Sequence, residues 1–158
     1  MHPSTKRFIE AATEAGVDVE VVTFDQETRT AQQAADAVGC DVAQIVKSLC
    51  FVVNGDPTMI FVSGKNQLDE KKLAKQCGVG RGKVKRAKAD QVKAATGYSI
   101  GGVSPFGLVT DMTLFMDEDL LMFPTVWAAA GMANTVFEIG SAVLRDKSGA
   151  TVVDIKKE

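Results

Sequence analysis

Few side chains in this sequence suit covalent or acid–base chemistry, and their scarcity narrows the possibilities. The only histidine is His2, beside the N-terminus, so a Ser-His or Cys-His catalytic pair is not expected. Cys40, Cys50 and Cys77 are widely spaced, with no C-x-x-C pair, which suits reduced thiols better than a disulfide framework or a zinc site. Neither a metal nor a cofactor is expected. Acidic residues fall mostly at helix starts and on polar faces, and no carboxylate pair stands out. Two features remain. Lys47 lies between "AQIV" and the apolar run "SLCFVV", where its ammonium either snorkels to the surface or serves a site. The stretch "TGYSIGGVSPFGL", Thr96 to Leu108, holds four glycines and a proline and is read as a loop between two strands. It matches neither of the phosphate-binding glycine patterns. It is either a rigid turn or a cradle in which Gly101 and Gly102 bring bare backbone amides to a substrate carbonyl.

Those features need elements to position them. Ser4 is placed to cap a first helix, with Phe8, Ile9, Ala12 and Ala15 on one face and Gly16 at its end. A strand from Val19 to Phe24 follows. Thr30 opens a second helix that stops at Gly39, and Asp41 caps a short turn running to Val46, so that Lys47 enters the next strand. The apolar runs on either side of "NGDP" predict a hairpin. Asp69 caps a helix ending at Gly78, with Leu68 and Leu73 inward. Later strands are expected in "LVTDMTLFMD", "PTVWAAA" and "NTVFEIG", then a helix capped by Ser141 and a last strand "ATVVDI". This interleaving lacks a regular βαβ period and favours a mixed sheet with flanking helices.

A chain of 158 residues, 46% hydrophobic, supports one domain with its own core. The net charge of −2 argues against a surface given over wholly to nucleic acid. A local basic stripe remains compatible with it, and Lys71, Lys72, Arg81, Lys83, Lys85 and Arg86 could meet phosphates or simply face solvent. With no apolar run near the roughly 20 residues of a membrane span and no signal-peptide core, a cytoplasmic location and no membrane partner are expected.

Four segments, "QIVKSLCFVVNGD", "LDEKKLAKQCG", "TGYSIGGVSPFGL" and "VWAAAGMANTVFEI", stand in the order and at the separations found in the YbaK/ProX proteins. The chain resembles that family, relatives of the editing domain inserted in bacterial prolyl-tRNA synthetases, over nearly its whole length. The resemblance implies a single editing domain over residues 1–158, with a compact α/β fold in which helices surround a curved mixed sheet. It implies a free-standing deacylase that hydrolyses the ester of a wrong amino acid on tRNA, most often tRNA for proline, with transient contact to prolyl-tRNA synthetase. Gly101 to Pro105 then forms the G-x-x-x-P element that grips the ester, making Gly101 and Lys47 the catalytic residues. Gly102, Val103, Ser104 and Pro105, with Phe24, Ala129 and Ala130, make up the substrate-binding set. Members of the cysteine-specific type carry Ser-Gly-Gly and then an acidic residue where this chain has Ala129, Ala130 and Val136. An apolar lining of that kind suits alanine, 2-aminobutyrate or another short aliphatic group. The alternative is a module on the same fold that binds tRNA or a synthetase without catalysis.

Overall fold

A computed structural model describes all 158 residues. Helix α1, Pro3–Glu14, starts two residues earlier than a Ser4 cap would place it. Pro3 is already set for the first helical position, so the cap falls to His2, whose Nδ1 accepts the Ser4 N–H at 3.0 Å. Strand β1, Val21–Thr23, is followed by α2, Ala31–Val38, where Thr30 and Gln33 form a reciprocal capping box and Gly39 ends the helix. Asp41 caps the short 3-10 turn Val42–Gln44. The hairpin is as expected: β2, Val46–Val53, pairs antiparallel with β3, Asp56–Ser63, through a tight turn at Asn54 and Gly55, both at positive φ. Asp69 caps α3, Glu70–Gln76.

The basic segment holds two elements that its lysines concealed, β4 at Val84–Arg86 and α4 at Ala89–Thr96. The glycine loop therefore follows a helix and not a strand. Then come β5, Thr113–Asp117; β6, Thr125–Ala129; β7, Thr135–Gly140; α5, Ser141–Ser148; and β8, Thr151–Val153. Ser141 is the first residue of α5, and Gly140 is the cap; the Ser141 hydroxyl instead donates to the Phe123 carbonyl at 2.5 Å.

The strands form the expected mixed sheet, divided into two ladders. Five strands run in the order β4-β2-β3-β5-β8, with β3–β5 and β5–β8 parallel, and three run β1-β7-β6. A single parallel bridge, Ile45 to Trp127, ties the ladders together. Strand β3 is buried on both faces: Met59 and Phe61 enter one core with Phe8, Tyr98 and Phe137, while Ile60 and Val62 enter another with Phe51, Leu73 and Phe115. In the first core the Phe8 and Phe137 rings lie 4.5 Å apart, close enough to add about 0.5–1.5 kcal/mol beyond their area burial. Because Phe61 is fully buried at the centre of that core, Phe61→Ala is expected to cost about 3–5 kcal/mol in chemical denaturation.

Candidate functional site

The site lies where β2 parts from its neighbour. The ladder with β4 covers only Phe51 to Val53, and before it the β2 edge is held by one bond, Ala87 N–H to the Cys50 carbonyl at 3.0 Å. A cavity of about 280 Å3 fills the gap, walled by Val46–Cys50 of β2, Arg86 and Ala87, the start of α2, the glycine loop, and the facing strands β6 and β7. Among the expected residues, Lys47, Gly101, Val103 and Ala129 line it. Gly102, Ser104 and Pro105 are buried behind the loop, Ala130 is fully buried in the larger core, and Phe24 lies outside the lining. The Phe24 backbone is stapled to the β6–β7 turn, its N–H donating to the Asn134 carbonyl at 2.8 Å.

The loop is fixed by its own hydrogen bonds. Gly102 N–H donates to the Ser99 carbonyl at 3.0 Å, closing a turn whose third residue, Gly101, has φ +91°. A type II turn requires positive φ at that position, and glycine supplies it. The Gly102 amide is therefore not bare, contrary to expectation: the turn consumes it. The amides of Gly101 and Val103 make no hydrogen bond within the protein, and both residues line the cavity. Behind them, the Tyr98 hydroxyl donates to the Phe106 carbonyl at 2.6 Å, and Ser104 Oγ accepts the Phe106 N–H at 3.0 Å. From α1, the Arg7 guanidinium sits 4.3 Å above the Tyr98 ring and Nε donates to the Gly107 carbonyl at 3.3 Å. Gly102 is required for another reason, since a Cβ there would lie 2.8 Å from Met132 Cα and 2.9 Å from the Gly131 carbonyl oxygen.

The lining carries Arg29, Lys47 and Arg86 and no carboxylate. The Lys47 ammonium donates to the Asn66 carbonyl. Burial pushes its pKa down, Asp117 pulls it back up, and Arg86 lowers it further. Arg86 has no acidic partner and stands 5.9 Å over the Phe51 ring. The Cys50 thiol, in the wall, is pushed up to about 11 by burial, which leaves it protonated near neutral pH and unsuited to attack as a thiolate. Ser48 and Arg29 were not singled out from the sequence. Ser48 Oγ is buried in the wall with no hydrogen-bond partner; strand periodicity could place Ser48 beside Lys47 but could not show that its hydroxyl is left free. Two of the candidate phosphate contacts are already committed, Arg81 to Glu70 at 2.8 Å and Lys72 to Asp154 and Glu158.

Three cations, two loop residues with unpartnered amides and no nucleophile–base pair suit a phosphate-bearing, already activated ester better than attack by a side chain. The known proteins that the chain is similar to carry the same indication. The profile of aminoacyl-tRNA editing domains matches residues 25–147, and the chain belongs to that family. It is 33% identical over 141 residues, 88% of each chain, to YwhH of Bacillus subtilis, itself uncharacterized. It is 26% identical over 133 residues, 84% of this chain and 80% of the other, to EbsC of Enterococcus faecalis, a candidate Cys-tRNA(Pro)/Cys-tRNA(Cys) deacylase. A solved structure described as a candidate trans-editing enzyme for prolyl tRNA synthetase superposes with a TM-score of 0.93 at 40% identity, covering 100% of this chain and 99% of that one. None of the helices is long and apolar enough to cross a membrane.

The two central glycines are expected to respond differently to the same change. Gly101→Ala meets only ordinary contact, 3.5 Å from Ala133 Cβ, so its cost is backbone strain of about 1–2 kcal/mol. Gly102→Ala drives a methyl into backbone and is expected to cost more in urea denaturation; an equal or smaller loss would show that the loop yields freely.

Proposed function

We propose that this chain, acting as a single domain over residues 1–158, is a trans-editing hydrolase that removes a small amino acid from mischarged tRNA, with tRNA for proline as the carrier. The observation that carries this reading is that Gly101 and Val103, whose amides have no partner within the protein, line a cavity with three cations and no carboxylate. The amides suit the ester carbonyl oxygen, which becomes negative as water adds. Lys47, Arg29 and Arg86 suit the phosphodiester of the tRNA 3′ end. An aminoacyl ester is already activated, so a water oriented by the neighbouring ribose hydroxyl completes the set without a histidine. A synthetase is engaged only in passing, as the enzyme meets charged tRNA after its release.

Selectivity is read from Ala129 and Val136, which pair across β6 and β7 and both line the cavity. Neither offers a hydrogen bond to a thiol or hydroxyl, so substrates are ranked by aliphatic fit. Discrimination in such a pocket is about 10- to 200-fold per methylene. In a panel of tRNA for proline charged with alanine, 2-aminobutyrate, cysteine or proline, alanine or 2-aminobutyrate is expected to be cleared fastest and proline spared. Cysteine cleared far ahead of both would overturn the assignment of selectivity to these strands. Binding of tRNA with no hydrolysis of any ester would favour the non-catalytic module.

Lys47→Ala is expected to slow deacylation by about 10²-fold or more while the fold persists. The wild-type rate, corrected for spontaneous ester hydrolysis, should fall as pH rises through the Lys47 pKa, because the cation is the useful form. Since burial places that pKa below 10.5, the decline begins earlier than for an ordinary lysine. Replacing the vicinal ribose hydroxyl by hydrogen should nearly abolish turnover; a normal rate on that substrate would require a protein base.

A further inference from the structure

Lys47 is anchored by a partly buried polar chain that reaches away from the cavity. Its ammonium donates to the backbone carbonyl of Asn66, in the connection after β3. The Asn66 side chain is itself gripped on the far side: Nδ2 donates to Asp117 Oδ2 at 2.8 Å and to Asp119 Oδ2 at 2.9 Å. Asp117, fully buried at the end of β5, also accepts the Ser63 N–H at 3.0 Å and, through Oδ1, the Asp119 N–H at 3.0 Å. Lys156 Nζ closes the chain on Asp119 Oδ2 at 2.8 Å. The strand-like segment bearing Lys156 is pinned to the same connection by Asp69 N–H to the Ile155 carbonyl and Lys157 N–H to the Gln67 carbonyl, both at 2.8 Å.

Two carboxylates buried together are a poor way to gain stability, because desolvation offsets most of what their bonds return. What they do secure is geometry. An asparagine whose amide group bonds two fixed carboxylates cannot swing, so its carbonyl, and the ammonium bonded to it, are held at one point. One bond to Asn66 leaves the other Lys47 donors for a ligand in the cavity. We propose that Asn66, clamped by Asp117, Asp119 and Lys156, is the positioning residue for Lys47, and that this clamp sets how effectively Lys47 acts on the substrate. The inference rests on the deacylase reading for its kinetic consequence, but not for the contact itself. Asp117 also supplies the negative charge that opposes the effects of burial and Arg86 on Lys47, while Lys156 and the more distant Lys65, 4.0 Å from Asp119, balance the second carboxylate.

The test compares Asn66→Ala, Lys156→Met and Lys156→Arg with the wild type by two readouts. Steady-state deacylation of the panel's best substrate gives kcat and KM separately, and side-chain NMR of 15N-labelled lysine follows the Lys47 titration without any substrate. Asn66→Ala is expected to lower kcat by about 10- to 100-fold, the scale of a displacement near 1 Å, with KM little changed and the Lys47 titration midpoint moved. Lys156→Met should lose part of the same activity and Lys156→Arg should restore it. If Asn66→Ala does not fold, the Lys156 pair decides, since the Lys156 side chain is partly exposed. A wild-type kcat and an unmoved Lys47 midpoint in Asn66→Ala, or equal behaviour of Lys156→Met and Lys156→Arg, would overturn the inference. If the wild type hydrolyses no charged tRNA while Asn66→Ala still moves the Lys47 midpoint, the functional reading fails and the positioning contact stands.

Discussion

The site depends on one constraint, the divided loyalty of β2. That strand pairs with β3 along its whole length but with β4 only over Phe51 to Val53, and the three-stranded ladder reaches the five-stranded one through the lone Ile45–Trp127 bridge. A continuous ladder would have sealed the edge of β2 and left no cavity. A wider separation would have put Ala129 and Val136 out of reach of Lys47. The split is stable because β3 is packed on both faces, so the sheet can open on one side of β2 without loosening the other.

The charge arrangement follows from the same opening. Lys47 and Arg86 are brought near each other on adjacent strands; at Lys47 the Asp117 carboxylate outweighs the Arg86 repulsion, and what remains against the ammonium is its burial. An anion entering the cavity would complete the balance. This differs from surface lysines such as Lys72, whose ammonium is already shared among Asp154, Glu158 and the Lys156 carbonyl. A net charge of −2 for the chain thus coexists with a cationic pocket, because the acidic residues are spent on caps, on the buried clamp and on exposed faces.

Much of the fold was legible because local chemistry and tertiary structure agree. Thr30 with Gln33, Asp41 with Gln44, and Asp69 mark their helices by side chains that accept backbone donors, and Asn54-Gly55 marks the hairpin. β4 and α4 were hidden because each buries little apolar side chain, with Val84 and Val92 standing among exposed lysines, so no period stood out. The order of segments, with Lys47 and the glycine loop among them, identified the family. It could not show that the Gly102 amide is consumed by a turn, that Ser48 Oγ is orphaned, or that Asn66 carries Lys47. The last depends on hydrogen bonds between residues as far apart as β2, β5 and the segment around Lys156, whereas the Gly102 turn is local and the glycines permit it without fixing it. Ala129 and Ala130, adjacent in sequence, also part ways, one at the cavity and the other in the core, as alternation of successive side chains requires.

The central claim, that the free amides of the glycine loop and the ammonium of Lys47 together receive the aminoacylated 3′ end, is tested most directly by NMR with a non-hydrolysable ligand. The ligand is a short acceptor-stem RNA ending in alanine joined by an amide in place of the ester. Saturating it should shift the Gly101 and Val103 amide resonances and the Lys47 side-chain resonance strongly, and leave the Gly102 amide, bonded within its turn, much less affected. Tight binding that perturbs none of the first three, with the shifts gathered on another face, would contradict the account.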